Sequence, residues 1–390
     1  MKKNLILLIS IILLSSLAYG QQIAEVKSVT IKSKNLKQKR ELLIYLPVGY
    51  NENKYTHYDV IYIFDAQNRM LFDYVHSILG FQDHGDKEFI IVGITSPYYE
   101  KTDYARNNDM LPAPRYTEPK EFYNGYSGNA NNFLNFIEKE VISYINHHYR
   151  TLGNNIAIGH SLSASLVIYS ILQKPNMFND IIAISPNLTF DKGRLIEDLL
   201  QYDYSKIKPH GFLYTSMANE GIEYWKPWKP AYKKFRKYIK DSLDKVYEYT
   251  YAEFPKRNHW TTYPASVQTA LKRYFEYYSK NKRYKLSNRK FKVHIKVKVP
   301  NENDSVYITG NQDNLANWDP DKLLMEKSSK YEREINIHIQ LPAELKFTRG
   351  NWDTEAIVEQ NEYFGNIAIT SNKEKEYTYE ITNWNDRMEY

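Results

Sequence analysis

The sequence predicts an α/β fold, a mainly parallel sheet flanked by helices, followed by a C-terminal antiparallel β-sandwich domain. Three observations carry this prediction. From about residue 24 to residue 280, short apolar runs of strand length alternate with stretches whose apolar residues recur at three- and four-residue spacing. Beyond residue 280 the helical spacing is lost, and short period-two runs separated by turn residues take its place. The two regimes meet in NKRYKLSNRK (281–290), a basic and polar stretch with the character of a linker.

The segments follow in order. The first twenty residues, MKKNLILLISIILLSSLAYG, begin with Lys2 and Lys3, continue in an apolar run from Leu5 to Leu17, and end on Ala18-Tyr19-Gly20 before Gln21. That is the layout of a cleaved secretory signal, too short and wrongly flanked for a spanning helix. Strands are expected at 41–46, 59–64, 89–95, 155–158, 180–185, 211–216 and 247–254. The clearest helix is 132–148, where Phe133, Phe136, Ile137, Val141, Tyr144 and Ile145 share one face. A second helix follows Ser161 and runs to about residue 172, stopped by Pro175, and a third covers 266–278. In the last hundred residues, strands are expected at 291–299, 305–309, 334–340, 344–348 and 377–382. The chain thus divides into a signal (1–20), a first domain (21–280), a linker (281–290) and a sandwich (291–390), with no internal repeat.

Composition bounds the rest. Hydrophobic residues make up 42% and charged residues 25%, which supports a globular core. The net charge of +6 is spread over small clusters, such as Lys233, Lys234, Arg236 and Lys237, or Lys282, Arg283 and Lys285. That is a solvated surface rather than a nucleic-acid footprint. The 36 tyrosines accompany abundant Lys, Asn and Ile and read as compositional bias. With no cysteine at all, a disulfide framework, a thiol nucleophile and thiolate metal sites are ruled out. A signal without cysteine predicts a periplasmic or secreted bacterial protein. No cofactor and no metal are expected, and no membrane span remains once the signal is removed.

The segment with chemistry is Gly159-His160-Ser161-Leu162-Ser163, set between the strand 155–158 and a helix. Strand, sharp turn, helix is the context that makes a G-x-S motif a nucleophile elbow: small flanking residues let the serine adopt a strained backbone. The turn lifts Ser161 above the sheet edge, while the helix start directs N–H groups to the same place, so the Leu162 amide is the first oxyanion donor. The second flanking position holds Ser163 where glycine is usual.

A serine needs a base and the base an orienting carboxylate, which follow in the chain order Ser, acid, His. His259, after the strand 247–254 and before the last helix of the domain, stands where the base belongs. Among the other histidines, His210 precedes a strand, His294 and His338 lie in the sandwich, and His147 and His148 end a helix upstream of the serine. The acid is expected after the strand 211–216, which selects Glu220, with Glu223 as its neighbour and competitor; Asp241 and Asp244 sit on a solvated helix.

With these residues placed, the chain resembles the esterase family that includes secreted feruloyl esterases, enterobactin esterases and mycolyltransferases. Six segments carry the resemblance in order: Tyr45-Leu46-Pro47-x-x-Tyr50, the strand from Tyr58 to Asp65, Arg106-x-x-Asp109-x-x-Pro112, the elbow, Ile184-Ser185-Pro186 and Asn258-His259. The resemblance implies an α/β-hydrolase fold, ester cleavage through an acyl-enzyme, and a second oxyanion N–H from Gln67. The family has Asp-Gly where this chain has Asp65-Ala66, so a positive φ is expected to fall on Ala66. Substrate contacts are expected from His160, Arg106 and Trp260.

The sandwich resembles a starch-binding-type carbohydrate-binding module through Gly310-Asn311, Leu315-x-x-Trp318-Asp-Pro320 and Leu345-Lys346-Phe347-x-Arg349-Gly350-x-Trp352. The resemblance implies sugar stacking on Trp318 and Trp352. The family's second binding tryptophan falls near 358–361, where this chain has no aromatic before Tyr363. Packing against the first domain is the other role open to the sandwich. The expected activity is hydrolysis of an acylated carbohydrate or aromatic-acid ester. The alternatives are a siderophore ester hydrolase with Arg106 or Arg115 in its pocket, an acyltransferase of the same fold, and a non-catalytic glycan-binding protein.

Overall fold

The computed structural model describes residues 25–79, 81, 87–97, 105–117, 123, 125–220, 227–281, 285–359 and 365–387. The expected signal, Glu223, Lys282, Arg283 and Tyr363 lie outside the described residues.

Eight strands build one sheet: β1 (Glu25–Lys32), β2 (Lys39–Leu46), β3 (Tyr58–Phe64), β4 (Phe89–Ile94), β5 (Thr151–His160), β6 (Asp180–Ile184), β7 (Gly211–Ala218) and β8 (Tyr247–Phe254). Their order across the sheet is β1-β2-β4-β3-β5-β6-β7-β8. β1, β2 and β4 pair antiparallel, and every pairing from β4 to β8 is parallel. The helices are α1 (Arg69–Leu79), α2 (Ala105–Met110), α3 (130–148, with a π turn at Ile137–Ile142), α4 (Leu162–Gln173), α5 (Phe190–Leu200), α6 (Trp228–Leu243) and α7 (Thr262–Asn281).

The central strand shows why the sheet is covered on both faces. All seven residues of YDVIYIF in β3 are buried, as in a parallel strand with helices above and below. Its side chains alternate between two cores. Val60, Tyr62 and Phe64 pack with Phe133 and Phe136 of α3 and Leu166 of α4. Ile61 and Ile63 face Phe72 and Val75 of α1 and Val267 and Leu271 of α7. Each fully buried aliphatic side chain contributes roughly 1.5–3 kcal/mol, so the two stripes hold the sheet from both sides.

The C-terminal part is a sandwich. One sheet runs β11 (Glu326–Lys327), β12 (Glu332–Ile339), β9 (Phe291–Lys298), β16 (Glu376–Trp384), β14 (Ala356–Val358); the other runs β10 (Tyr307–Gly310), β13 (Ala343–Thr348), β15 (Ile367–Ile369). The pairings are antiparallel except for β16 beside β9, which is parallel because the last strand returns alongside the first. Val293, Ile295, Val297, Phe347 and Trp384 fill the space between the sheets.

Among the described residues, Tyr55 and the linker residue Lys285 tie the C-terminal part to the eight-stranded sheet. Tyr55, in the turn before β3, packs on the sandwich core. Its ring meets Tyr379 at 5.2 Å and 83°, its carbonyl accepts the Ala368 N–H at 2.9 Å, and its hydroxyl bonds Glu359, which also pairs with Lys54. On the other side, Lys285 reaches the buried carboxylate of Asp180 at 2.9 Å. A cleft of about 1080 Å³ lies between these contacts, lined by the N-terminal ends of β3, β5 and β7 and by Trp318 and Trp352.

Candidate active site

Four neighbouring parallel strands, β3, β5, β6 and β7, run into a residue with positive φ at their C-terminal ends: Asp65 (φ 61°), Ser161 (φ 65°), Ser185 (φ 45°) and Glu220 (φ 62°). None is glycine. Sparsely populated conformations of this kind cost about 1–3 kcal/mol each and gather at functional sites, and this edge is where open α/β sheets bind ligands. The strain expected on Ala66 falls one residue earlier. Ala66 keeps a strand-like bond, its N–H donating to the Ile94 carbonyl at 3.1 Å, and Asp65 takes the left-handed conformation.

Ser161 has φ 65° and ψ −121°, the strained turn that its flanking residues must allow. A Cβ on Gly159 would stand 2.4 Å from the Ser163 carbonyl oxygen, so only glycine lets strand and helix approach this closely. The Ser161 N–H donates to the Ile184 carbonyl at 3.0 Å, and its carbonyl accepts the Ser165 N–H at 3.2 Å. α4 begins at Leu162, placing that amide in a first turn whose N–H groups have no intrahelical acceptor.

The structure brings His259 and Glu220 together. Nδ1 of His259 lies 2.6 Å from Oε2 of Glu220, both residues being 1% exposed. The other Glu220 oxygen accepts the Ala218 N–H at 3.1 Å. A carboxylate on Nδ1 fixes the tautomer that leaves Nε2 as the basic nitrogen. Trp228 sits edge-on to the imidazole at 5.2 Å and Trp260 at 5.5 Å; Trp260 is 62% exposed, at the rim of the site.

His160, expected to touch substrate, is buried instead. Its Nε2 lies 2.9 Å from the His259 carbonyl, so that nitrogen carries the proton and donates, and the ring packs on that of His259 at 4.7 Å. Burial, and then the neighbouring His259, push its pKa down to about 3. It supports the loop that carries His259.

Arg106, also expected to touch substrate, is committed to Asp65, with its Nε at 2.7 Å from Oδ1 and a terminal nitrogen at 3.0 Å from Oδ2. Gln67 is fixed on both sides of its amide: Nε2 donates to Asp65 at 2.9 Å, and Oε1 accepts the Ser96 N–H at 2.9 Å. Burial alone would raise the Asp65 carboxyl, but Arg106 and the hydrogen bonds from Gln67 and Ser163 hold it below the ordinary carboxylate value.

Two residues of this network had no assigned role in the sequence reading, Asp65 and Ser163. Ser163 is completely buried; its hydroxyl accepts the His160 N–H at 2.9 Å and lies 3.0 Å from Asp65 Oδ2 and 2.8 Å from the His160 carbonyl. With one proton, it donates to one of the two at a time. The signal for Asp65 was an acid closing an otherwise apolar strand; the signal for Ser163 was a hydroxyl where the motif has glycine.

In the sandwich, the rings of Trp318 and Trp352 lie 6.5 Å apart at 41°, and Trp352 is 41% exposed. Among the described residues no group of histidine and acidic side chains is arranged to hold a metal, and no helix is long and apolar enough to cross a membrane.

A parallel α/β sheet with a serine on a strained strand-to-helix turn and a buried His–Glu pair beside it defines a class, the serine hydrolases of the α/β-hydrolase fold. The chain belongs to the Putative esterase family, whose model matches residues 33–247, a span that holds Ser161 and Glu220. The model of the Starch binding domain matches residues 290–363 and includes both tryptophans. Among solved structures, the chain is similar to an IroE-like serine hydrolase from Shewanella oneidensis, with 25% identity and a TM-score of 0.56 over 65% of this chain and 80% of that one. It shares its fold with the siderophore hydrolase EstA from Aspergillus nidulans, at 14% identity and a TM-score of 0.53 over 64% of this chain and 94% of that one. An uncharacterised protein from Capnocytophaga ochracea is similar at 21% identity and a TM-score of 0.51 over 65% of this chain and 64% of that one. No curated protein matches the chain. The chain is an esterase.

Proposed function

We propose that the protein is an exported carboxylic-ester hydrolase that acts through an acyl-enzyme on Ser161, on an acylated carbohydrate or aromatic-acid ester. The observation that carries the reading is the 2.6 Å His259–Glu220 pair, whose imidazole packs on the ring of His160, the residue before the strained serine. Nε2 of His259 takes the Ser161 proton as the oxygen attacks the ester carbonyl. The Leu162 and Gln67 amides hold the oxyanion, His259 returns the proton to the departing alcohol, and water then repeats the sequence to release the acid. Glu220 stabilises the imidazolium without taking its proton.

The carbohydrate half of this reading rests on the Starch binding domain match and on the paired indoles of half-buried Trp318 and exposed Trp352, whose faces suit pyranose rings. Export rests on the composition of residues 1–20, and the mature chain is expected to begin at Gln21.

The test is a panel of p-nitrophenyl acetate, methyl ferulate, acetylated sugars and a catecholate triester, with and without a sugar acceptor, followed by intact-mass analysis after a fluorophosphonate. The reading predicts one adduct, on Ser161, and turnover of the acyl-sugar or feruloyl substrates by water. Preference for the triester would reassign the substrate, and transfer to the sugar would reassign the reaction.

A further inference from the structure

We infer that the cleft between the hydrolase sheet and the sandwich is a composite α-glucan site, with Trp318 and Trp352 as one wall and the N-terminal strand ends of the hydrolase sheet as the other. The inference rests on the reading above that the tryptophan pair binds glycan, and extends it to residues of the esterase part.

The cleft is lined on the sandwich side by Trp318 and Trp352, and on the hydrolase side by Gly153 and Asn154 of β5 and by Lys208 and His210 before β7. The indoles therefore do not form an open platform; they lie in a cavity whose far wall belongs to the other sheet. At about 1080 Å³ it is at or above the ~300–1,000 Å³ of small-ligand pockets, room for several sugar rings rather than one.

A buried polar floor gives the hydrolase wall its own chemistry. Asp59 pairs with Lys87 at 2.8 Å, Asp180 pairs with Lys285 at 2.9 Å, and the Asn154 amide nitrogen lies 3.2 Å and 3.3 Å from the two carboxylates. Asn154 is 6% exposed, and its Oδ1 has no hydrogen-bond partner. Lys208 and His210, exposed on this wall, present polar groups to sugar hydroxyls, while the indoles take the apolar faces of the rings. The Starch binding domain match over both tryptophans commits the occupant to an α-glucan.

The position of the cleft fixes its role. Asn154 is the fourth residue of β5 and Ser161 follows its last, seven residues away, which at ~3.3 Å per residue is roughly 23 Å. A glucan in the cleft is held at the opposite end of the sheet from the nucleophile. The site anchors the enzyme on a polymer and does not feed its own serine.

Hydrogen–deuterium exchange on the full-length protein, with and without maltoheptaose, tests this, with Trp352→Ala as the control. The composite site predicts slower exchange both around Trp318 and Trp352 and in the hydrolase segments 152–154 and 207–211, all lost in Trp352→Ala. It also predicts unchanged p-nitrophenyl acetate turnover at saturating maltoheptaose. Slowing confined to the sandwich would overturn the composite site and leave the tryptophan reading standing. No slowing anywhere would overturn both. Competitive inhibition of ester turnover by maltoheptaose would place the glucan at the serine and contradict the anchoring role.

Discussion

The Ser163 hydroxyl lies 3.0 Å from the Asp65 carboxylate, joining the turn that carries Ser161 to the loop that carries Gln67. A residue that breaks the usual elbow motif thereby ties the nucleophile to the expected oxyanion donor. A second tie, His160 Nε2 to the His259 carbonyl, joins the same elbow to the base loop. The spacing of Ser161, His259 and Gln67 is held by the buried side chains of Ser163, Asp65 and His160.

Ser163→Gly restores the common motif but removes this tie. Hydrogen bonds to charged groups contribute about 1.5–3 kcal/mol, and Asp65 retains Arg106 and Gln67. We predict a lower melting temperature and a roughly tenfold fall in kcat with little change in KM, because an aligned transition state is lost rather than ground-state binding. Steady-state kinetics on p-nitrophenyl acetate check it; an unchanged kcat would mean that the tie serves stability alone.

Glu220→Gln keeps the shape of the acid and removes its charge. By the logic of an orienting carboxylate, kcat is expected to fall by on the order of 10³–10⁴ while the fold persists. Circular dichroism and kinetics on the same preparation separate the two effects. Retention of more than a tenth of wild-type kcat would exclude Glu220 as the triad acid.

His160 sets an acid limit on stability. Its pKa is about 3 in the fold against an ordinary value of 6.5, because burial and His259 disfavour its charged form. The unfolded chain therefore binds a proton that the folded chain refuses between these values. Its stabilising contribution is complete above pH 6.5 and is lost progressively as pH falls toward 3. Denaturant titrations at several pH values should show this slope, and His160→Gln should flatten it.

Tyr55→Ala removes the ring that enters the sandwich core and the hydroxyl bound to Glu359. Loss of a largely buried aromatic costs about 3–5 kcal/mol in a full core and less at a half-buried site, so about 2–3 kcal/mol is expected. Calorimetry should show the single transition splitting in two, with the sandwich and the hydrolase part melting apart. Tyr55→Phe should keep them together.

Much of this site was legible in the sequence. Ser161, Glu220 and His259 each follow a predicted strand, and a parallel sheet gathers such positions at one edge. Long apolar strands such as β3 and the helix at 130–148 were visible because their periods are unambiguous. β1 was not, because EVKSVTIK lies at the sheet edge and its apolar residues are only half covered. The role of His160 was invisible for another reason: its partner is a backbone carbonyl ninety-nine residues away, which no local pattern encodes. The same holds for Ser163 and Asp65, joined across ninety-eight residues. In the sandwich, the parallel pairing of β16 with β9 depends on how the last strand returns, which period-two alternation does not specify.

The role of Ser161 as nucleophile is tested most directly by ester turnover in Ser161→Ala at a concentration where the wild type is readily followed. A nucleophilic Ser161 requires a fall in kcat/KM on the order of 10⁴ or more with an unchanged circular dichroism spectrum. Undiminished turnover in the folded variant would contradict it.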